Sequence, residues 1–167
     1  LTLGWGMAVT AAGAAAAVIP LMGAPLSVVA GRIADRHGPR TVILPGAVIM
    51  AAASFLLARQ LGNERDVWGL WLPIGALYGT GVGLAHASCQ AATLRNVPAD
   101  RLGVGGAMGR IAMEVGGVIS VAVSVAMLAG ADDIISGVRR VALMAGIVSL
   151  VGGAFALWLP SSGAYPR

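Results

Sequence analysis

The residues able to do chemistry are few, and they fall in three places. The densest is Gly31-Arg32-Ile33-Ala34-Asp35-Arg36-His37-Gly38-Pro39-Arg40, where one carboxylate sits among three guanidinium groups, two of them between the glycines and Arg40 just beyond. Asp35 can pair with Arg36 or Arg40, or face the positive end of a neighbouring helix. Read as a tight turn with Gly31 and Gly38 at its bends, the segment can latch one arrangement of helices and release it in another. It can equally be a charged hairpin that fixes orientation. The second place is Arg110 and Glu114, four apart and therefore on one face of a helix. The third is His86 and Gln90, again four apart, with Ser88 and Cys89 beside them.

The elements that must position these groups are set by what surrounds them. No Asp, Glu, Arg or Lys occurs in residues 1–31, 41–58, 67–94, 115–131 or 141–166. Apolar stretches of about 17–25 residues are long enough to cross a bilayer as helix. Backbone polar groups in lipid must be satisfied within the segment, which selects helices over open strands. The ten-residue alternation of a membrane barrel is absent from the sequence. The expected fold is therefore all-α, a polytopic membrane bundle of five transmembrane helices at about 7–30, 41–58, 67–94, 103–130 and 139–159, forming a single domain over 1–167. Pro20, Pro25, Pro45 and Pro73 lie inside or near the ends of these spans and predict kinks that neighbouring helices tolerate.

Composition agrees. Hydrophobic types make 57% of the chain and charged types 11%, against about 25% charged in a soluble domain. That charge cannot coat a water-facing globule, which argues against a soluble enzyme and a disordered tail alike. The lone Cys89 leaves no intrachain disulfide and no cysteine-cluster metal site. All 11 basic residues are arginines. With Arg110 set aside, Arg32, Arg36, Arg40, Arg95, Arg101 and Arg167 fall on one side of the spans, and Arg59, Arg65, Arg139 and Arg140 on the other. The excess predicts that the 32–40 and 95–101 loops and the C-terminus are cytoplasmic. The basicity is thus read as topology, with no nucleic-acid partner. Trp5, Trp68, Trp71 and Trp158 lie near span ends, where the indole prefers the headgroup level.

Gly75, Gly79 and Gly83 recur at four-residue spacing and predict a face on which another helix packs closely. A phosphate-loop reading of this run lacks the preceding strand. The small-residue surface is expected to continue through Gly105, Gly109, Gly116 and Gly117. Within the fourth span, Glu114 is expected roughly 16 Å from the helix start. A charge at mid-bilayer costs about 2.5–3.5 kcal/mol and so faces a cavity or a partner. Glu114 then serves proton coupling or cation binding, with Arg110 as its companion, or the two form a structural pair. His86 and Gln90 can make an interhelical hydrogen bond, worth about 0.6–2 kcal/mol, or line a substrate path. Metal binding by His86 alone is not expected, since His37 belongs to the 32–40 loop, and no cofactor is called for. No Ser-His-Asp set can be gathered in one water-accessible compartment, so no catalytic residues are assigned and no enzyme is expected.

The Gly-x-x-x-Asp-Arg-x-Gly-x-Arg pattern, met by Gly31, Asp35, Arg36, Gly38 and Arg40, resembles the signature loop of the major facilitator superfamily. Gly79-Thr80-Gly81-Val82-Gly83, then Asn96-Val97-Pro98-Ala99-Asp100-Arg101-Leu102-Gly103, then Glu114-Val115-Gly116-Gly117 look like the corresponding parts of its drug:proton antiporter branch with fourteen helices. Met113 stands where many relatives carry Arg before the Glu. The resemblance implies a secondary transporter of the cell (inner) membrane, a proton-driven efflux protein for drugs or other small molecules. It also implies a gate function for the 31–40 loop against a helix of the other half. Five spans with the signature after the first look like an incomplete C-terminal half, lacking its own first helix and the N-terminal half. The opening Leu1-Thr2-Leu3 fits an upstream portion. The expected partners are the bilayer, that N-terminal half, a small-molecule substrate and protons. A transporter of a sugar or organic anion, or a non-transporting five-helix subunit joined through its glycine faces, stands as an alternative.

Overall fold

The computed structural model describes residues 2–62, 66–94 and 97–158. Among them there is no strand; the chain is all-α, with five helices long and apolar enough to cross a membrane. The first span is Val9–His37, the second Arg40–Gln60, the third Val67–Leu94, the fourth Leu102–Ala129 and the fifth Ile134–Trp158. A short helix, Thr2–Trp5, precedes them.

Proline shapes two of these helices. Pro20 has no amide hydrogen to offer Ala16, and the first span is interrupted at Ala17, between helices Val9–Ala16 and Val18–His37. The third span opens with a π turn, Val67–Trp71, in which the Trp71 amide donates to Asp66 O at 3.2 Å. Pro73 follows after Leu72, and the widened turn suits a ring that would crowd the carbonyl four residues back. The Asp66 carboxylate caps this start, accepting from the Gly69 amide at 2.7 Å.

Two boundaries differ from the sequence expectation by more than two residues. The first span does not end near 30 but runs to His37, so the connection shrinks to Gly38 and Pro39. Gly31 is therefore helical, and only Gly38, at φ 90°, turns the chain. Nothing between Arg32 and His37 breaks a helix, and Arg36 and His37 suit its negative C-terminal end. The Gly38 amide closes the last turn on Ala34 O at 2.9 Å, and Pro39 starts the next helix with φ −65°. The fifth span begins at Ile134 rather than 139, because Asp133 caps it by accepting from the Ser136 amide at 2.8 Å. Arg139 and Arg140 are thus helical, not loop, residues.

The third span is the centre of the bundle. One of its faces meets the first span and another the second, while the second also packs on the fifth. Small residues make this possible, since lipid supplies no hydrophobic drive and association rests on close van der Waals contact. Ala30, Ala34 and Val42 form a buried apolar cluster, against which Leu84 packs. The fourth span stands apart, with no buried residue along its whole length.

Candidate functional site

The first and third spans run parallel, held backbone to backbone. A methyl group added at Gly75 would lie 2.8 Å from Val18 Cγ1, and one at Gly79 or Gly83 would collide with the main chain of Ile19 or Gly23. On the adjoining face, a methyl at Gly81 would lie 2.7 Å from the Gly46 carbonyl oxygen of the second span. The glycines therefore form two interfaces rather than one. Their parallel register brings Leu94 to the same end of the bundle as the Gly38–Pro39 turn.

At that turn end, Gly38 and Pro39 are buried, Gly31 and Arg40 are half-buried, and Asp35, Arg36 and His37 are exposed. The buried Ala30 and Ala34 anchor the helix behind them. Among the described residues the ion pairs are Arg101–Asp100, at 3.7 Å, and Arg110–Glu114, at 3.8 Å. Asp35 thus pairs with neither Arg36 nor Arg40. Adjacent helical residues do not face each other, and Arg40 lies on the next helix. Asp35 occupies the last turn of a long helix, where a carboxylate opposes the macrodipole. Of the arginines counted for orientation, Arg32, Arg36, Arg40 and Arg101 lie toward this end and Arg59, Arg139 and Arg140 toward the other. Glu64, Arg65, Arg95, Asn96 and Arg167 lie outside the described residues.

Further into the bundle, His86 and Gln90 line one cavity of about 290 Å³ between the second, third and fourth spans. Its wall also carries Met50, Cys89, Thr93, Gly109 and Met113. The structure thus gathers the third-span polar stripe but leaves Arg110 and Glu114 off the lining. Those two lie on the neighbouring face of the fourth span, exposed and paired through Arg110 Nε and Glu114 Oε1. Counted from Leu102, Glu114 is about 18 Å along the helix.

The expected continuation of the small-residue surface into the fourth span is corrected. A methyl group added at Gly105 or Gly109 would meet the side chain of Val97 or Thr93, whereas one at Gly116 or Gly117 would meet no heavy atom of another element among the described residues within 4 Å. The reason is placement: this helix lies at the rim, meeting the third span near its start and the fifth near its end, where Leu128 lies against Gly137, and Gly116 and Gly117 fall between these contacts.

The end opposite the turn is tied by side chain to backbone bonds. Arg139 Nη2 donates to Leu61 O at 2.9 Å, capping the second span, and Arg140 Nη1 donates to Gly130 O at 3.2 Å. Trp5 donates to Gly62 O at 3.2 Å and Trp71 to Ala15 O at 3.0 Å. Trp68 and Trp158 are exposed, the latter edge-on to Phe155. These ties were missed in the sequence, as was the place of Met50 and Met113 in the cavity wall. An Arg pair just after an Asp cap is the signal that points to the first. Nothing in the spacing of single methionines points to the second.

Comparison with curated proteins and with solved structures finds no match. The sequence profile of the Major Facilitator Superfamily matches residues 1–166, and the chain belongs to that family of multi-pass membrane transporters.

Proposed function

We propose that the chain is part of a proton-coupled exporter of drugs or other small molecules in the cell (inner) membrane, working by alternating access. The observation that carries this reading is the Arg110–Glu114 pair. It sits far along an apolar 28-residue span, exposed on a helix with no buried residue. A charged pair at that depth is costly toward lipid and belongs against a partner bundle or a water-filled cavity. In transporters such a cavity lies at the midplane between two repeats that rock about it. Glu114 is the proton carrier of this reading and Arg110 its resting counter-charge. His86 and Gln90, on the adjacent cavity wall, are the substrate-lining groups.

The Gly31–Arg40 segment is the gate. Asp35, held exposed at the negative end of a helix, gains when a positive helix end or an arginine of the other half closes on it. The partner is an N-terminal half, and the turn end is cytoplasmic. The glycines of the third span are already engaged by the first and second spans, which weighs against the self-assembling subunit.

The test is Glu114→Gln in the complete transporter, reconstituted in vesicles with an imposed pH gradient and a cationic dye. Proton-driven dye movement is expected to cease while dye binding persists. Full proton-driven efflux by Glu114→Gln removes Glu114 from coupling and with it the central support of the proposal.

A further inference from the structure

We infer that the cavity between the second, third and fourth spans binds a soft monovalent metal cation, copper(I) or silver(I), through Cys89, His86, Met50 and Met113. As a statement about cargo the inference rests on the transporter reading above; as a statement about binding it stands on the cavity alone. Three spans contribute to one wall. His86 and Cys89, three residues apart, share a face of the third span, Met50 comes from the second span and Met113 from the fourth. The sole cysteine of the chain and one of its two histidines are in this cavity, and Cys89 is exposed to an incoming ligand.

The donor set is selective. Thiolate and thioether ligands favour copper(I), and imidazole accompanies them readily. Calcium and magnesium require carboxylate, carbonyl or water oxygens, and no carboxylate lines this wall. Charge balance points the same way. Binding exchanges the thiol proton for the metal, so that Cys89–SH and M⁺ give Cys89–S–M and H⁺, and the site stays neutral within an apolar wall. Neutrality suits an apolar wall within a membrane span, where an unpaired charge is costly even at an exposed position. The two methionine side chains are unbranched and flexible, and can close a cavity of about 290 Å³ around an ion smaller than the space. Gln90 and Thr93 continue the wall toward the turn end and offer oxygen and nitrogen groups to an ion shedding its water.

The experiment uses the chain in lipid nanodiscs, dialysed against silver(I) buffered by free methionine. Bound silver is counted by elemental mass spectrometry, and maleimide labelling reports on Cys89, the one thiol available. One silver per chain is expected, with labelling of Cys89 blocked in parallel. Met113→Leu and Met50→Leu, which nearly conserve volume, should each weaken binding by about tenfold or more, and His86→Ala by at least as much. Silver binding that is unchanged in both methionine variants is capture by a bare thiol and overturns the inference. So does a wild-type chain that labels freely under silver. Because these readouts need no gradient, their failure is separable from failure of the transport reading. Dye efflux intact in the complete transporter, with no silver site, sinks this inference alone.

Discussion

The third and fourth spans are alike in sequence and opposite in circumstance. Both are 28 residues long and rich in glycine, with glycines at four-residue intervals. The third is gripped on two faces, by the first span through Gly75, Gly79 and Gly83 and by the second through Gly81. The fourth buries nothing. A ladder of glycines therefore permits close approach without requiring it; what decides is whether a matching small-residue stripe faces it. Gly23 and Gly46 supply that match for the third span. The fourth span, which carries the Arg110–Glu114 pair, has no such match among the described residues.

The sharpest way to break this contrast is to place leucine at equivalent positions of the two spans. Gly79→Leu drives a side chain into the Ile19 backbone and should destabilise the chain in detergent by at least the 1–3 kcal/mol, roughly, of core overpacking. Thermal unfolding followed by circular dichroism reads it. Arg139→Ala should cost less, about 1–2 kcal/mol, by leaving the Leu61 carbonyl without its charged donor. Smaller again is Asp133→Ala, which removes the cap of the fifth span and lowers the melting temperature slightly. The Ser136 amide holds the Asp133 carboxyl below its ordinary pKa. Its stabilisation is thus full above the unfolded-state pKa and is lost as pH falls through the depressed folded value. An acid melting series should show the difference between wild type and Asp133→Ala closing as the pH drops. At the bottom of the order, Gly116→Leu and Glu114→Gln should leave the melting of this chain within about 0.5 kcal/mol, as exposed substitutions do. A large loss from Gly116→Leu in the chain alone would mean that the fourth span is packed after all.

The five crossings were legible because charge-free stretches of span length have few other physical uses. The close face of Gly75, Gly79 and Gly83 was legible too, since four-residue spacing of small side chains is a property of one helix. Its partner was not, because Val18, Ile19 and Gly23 carry no mark that distinguishes them from lipid-facing neighbours. The same ambiguity hid the exposure of the fourth span: a valine toward lipid and a valine toward protein read identically. The Gly31–Arg40 pattern located the turn but overestimated its length, because charge within a helix end resembles charge in a loop. The cavity wall was half visible. His86 and Gln90 announce themselves as polar groups in an apolar run, whereas Met50 and Met113 join them only through the packing of three helices.

Where Gly79 and Gly83 meet Ile19 and Gly23, main chain rests on main chain with no side-chain cushion between. Such a seam has no slack to slide, because any shift puts peptide groups into direct collision. The first and third spans must then travel together as one stiff beam, with the second riding along through Gly46 and Gly81. The fourth helix, with no buried residue, has no comparable seam and is held to the others far more lightly.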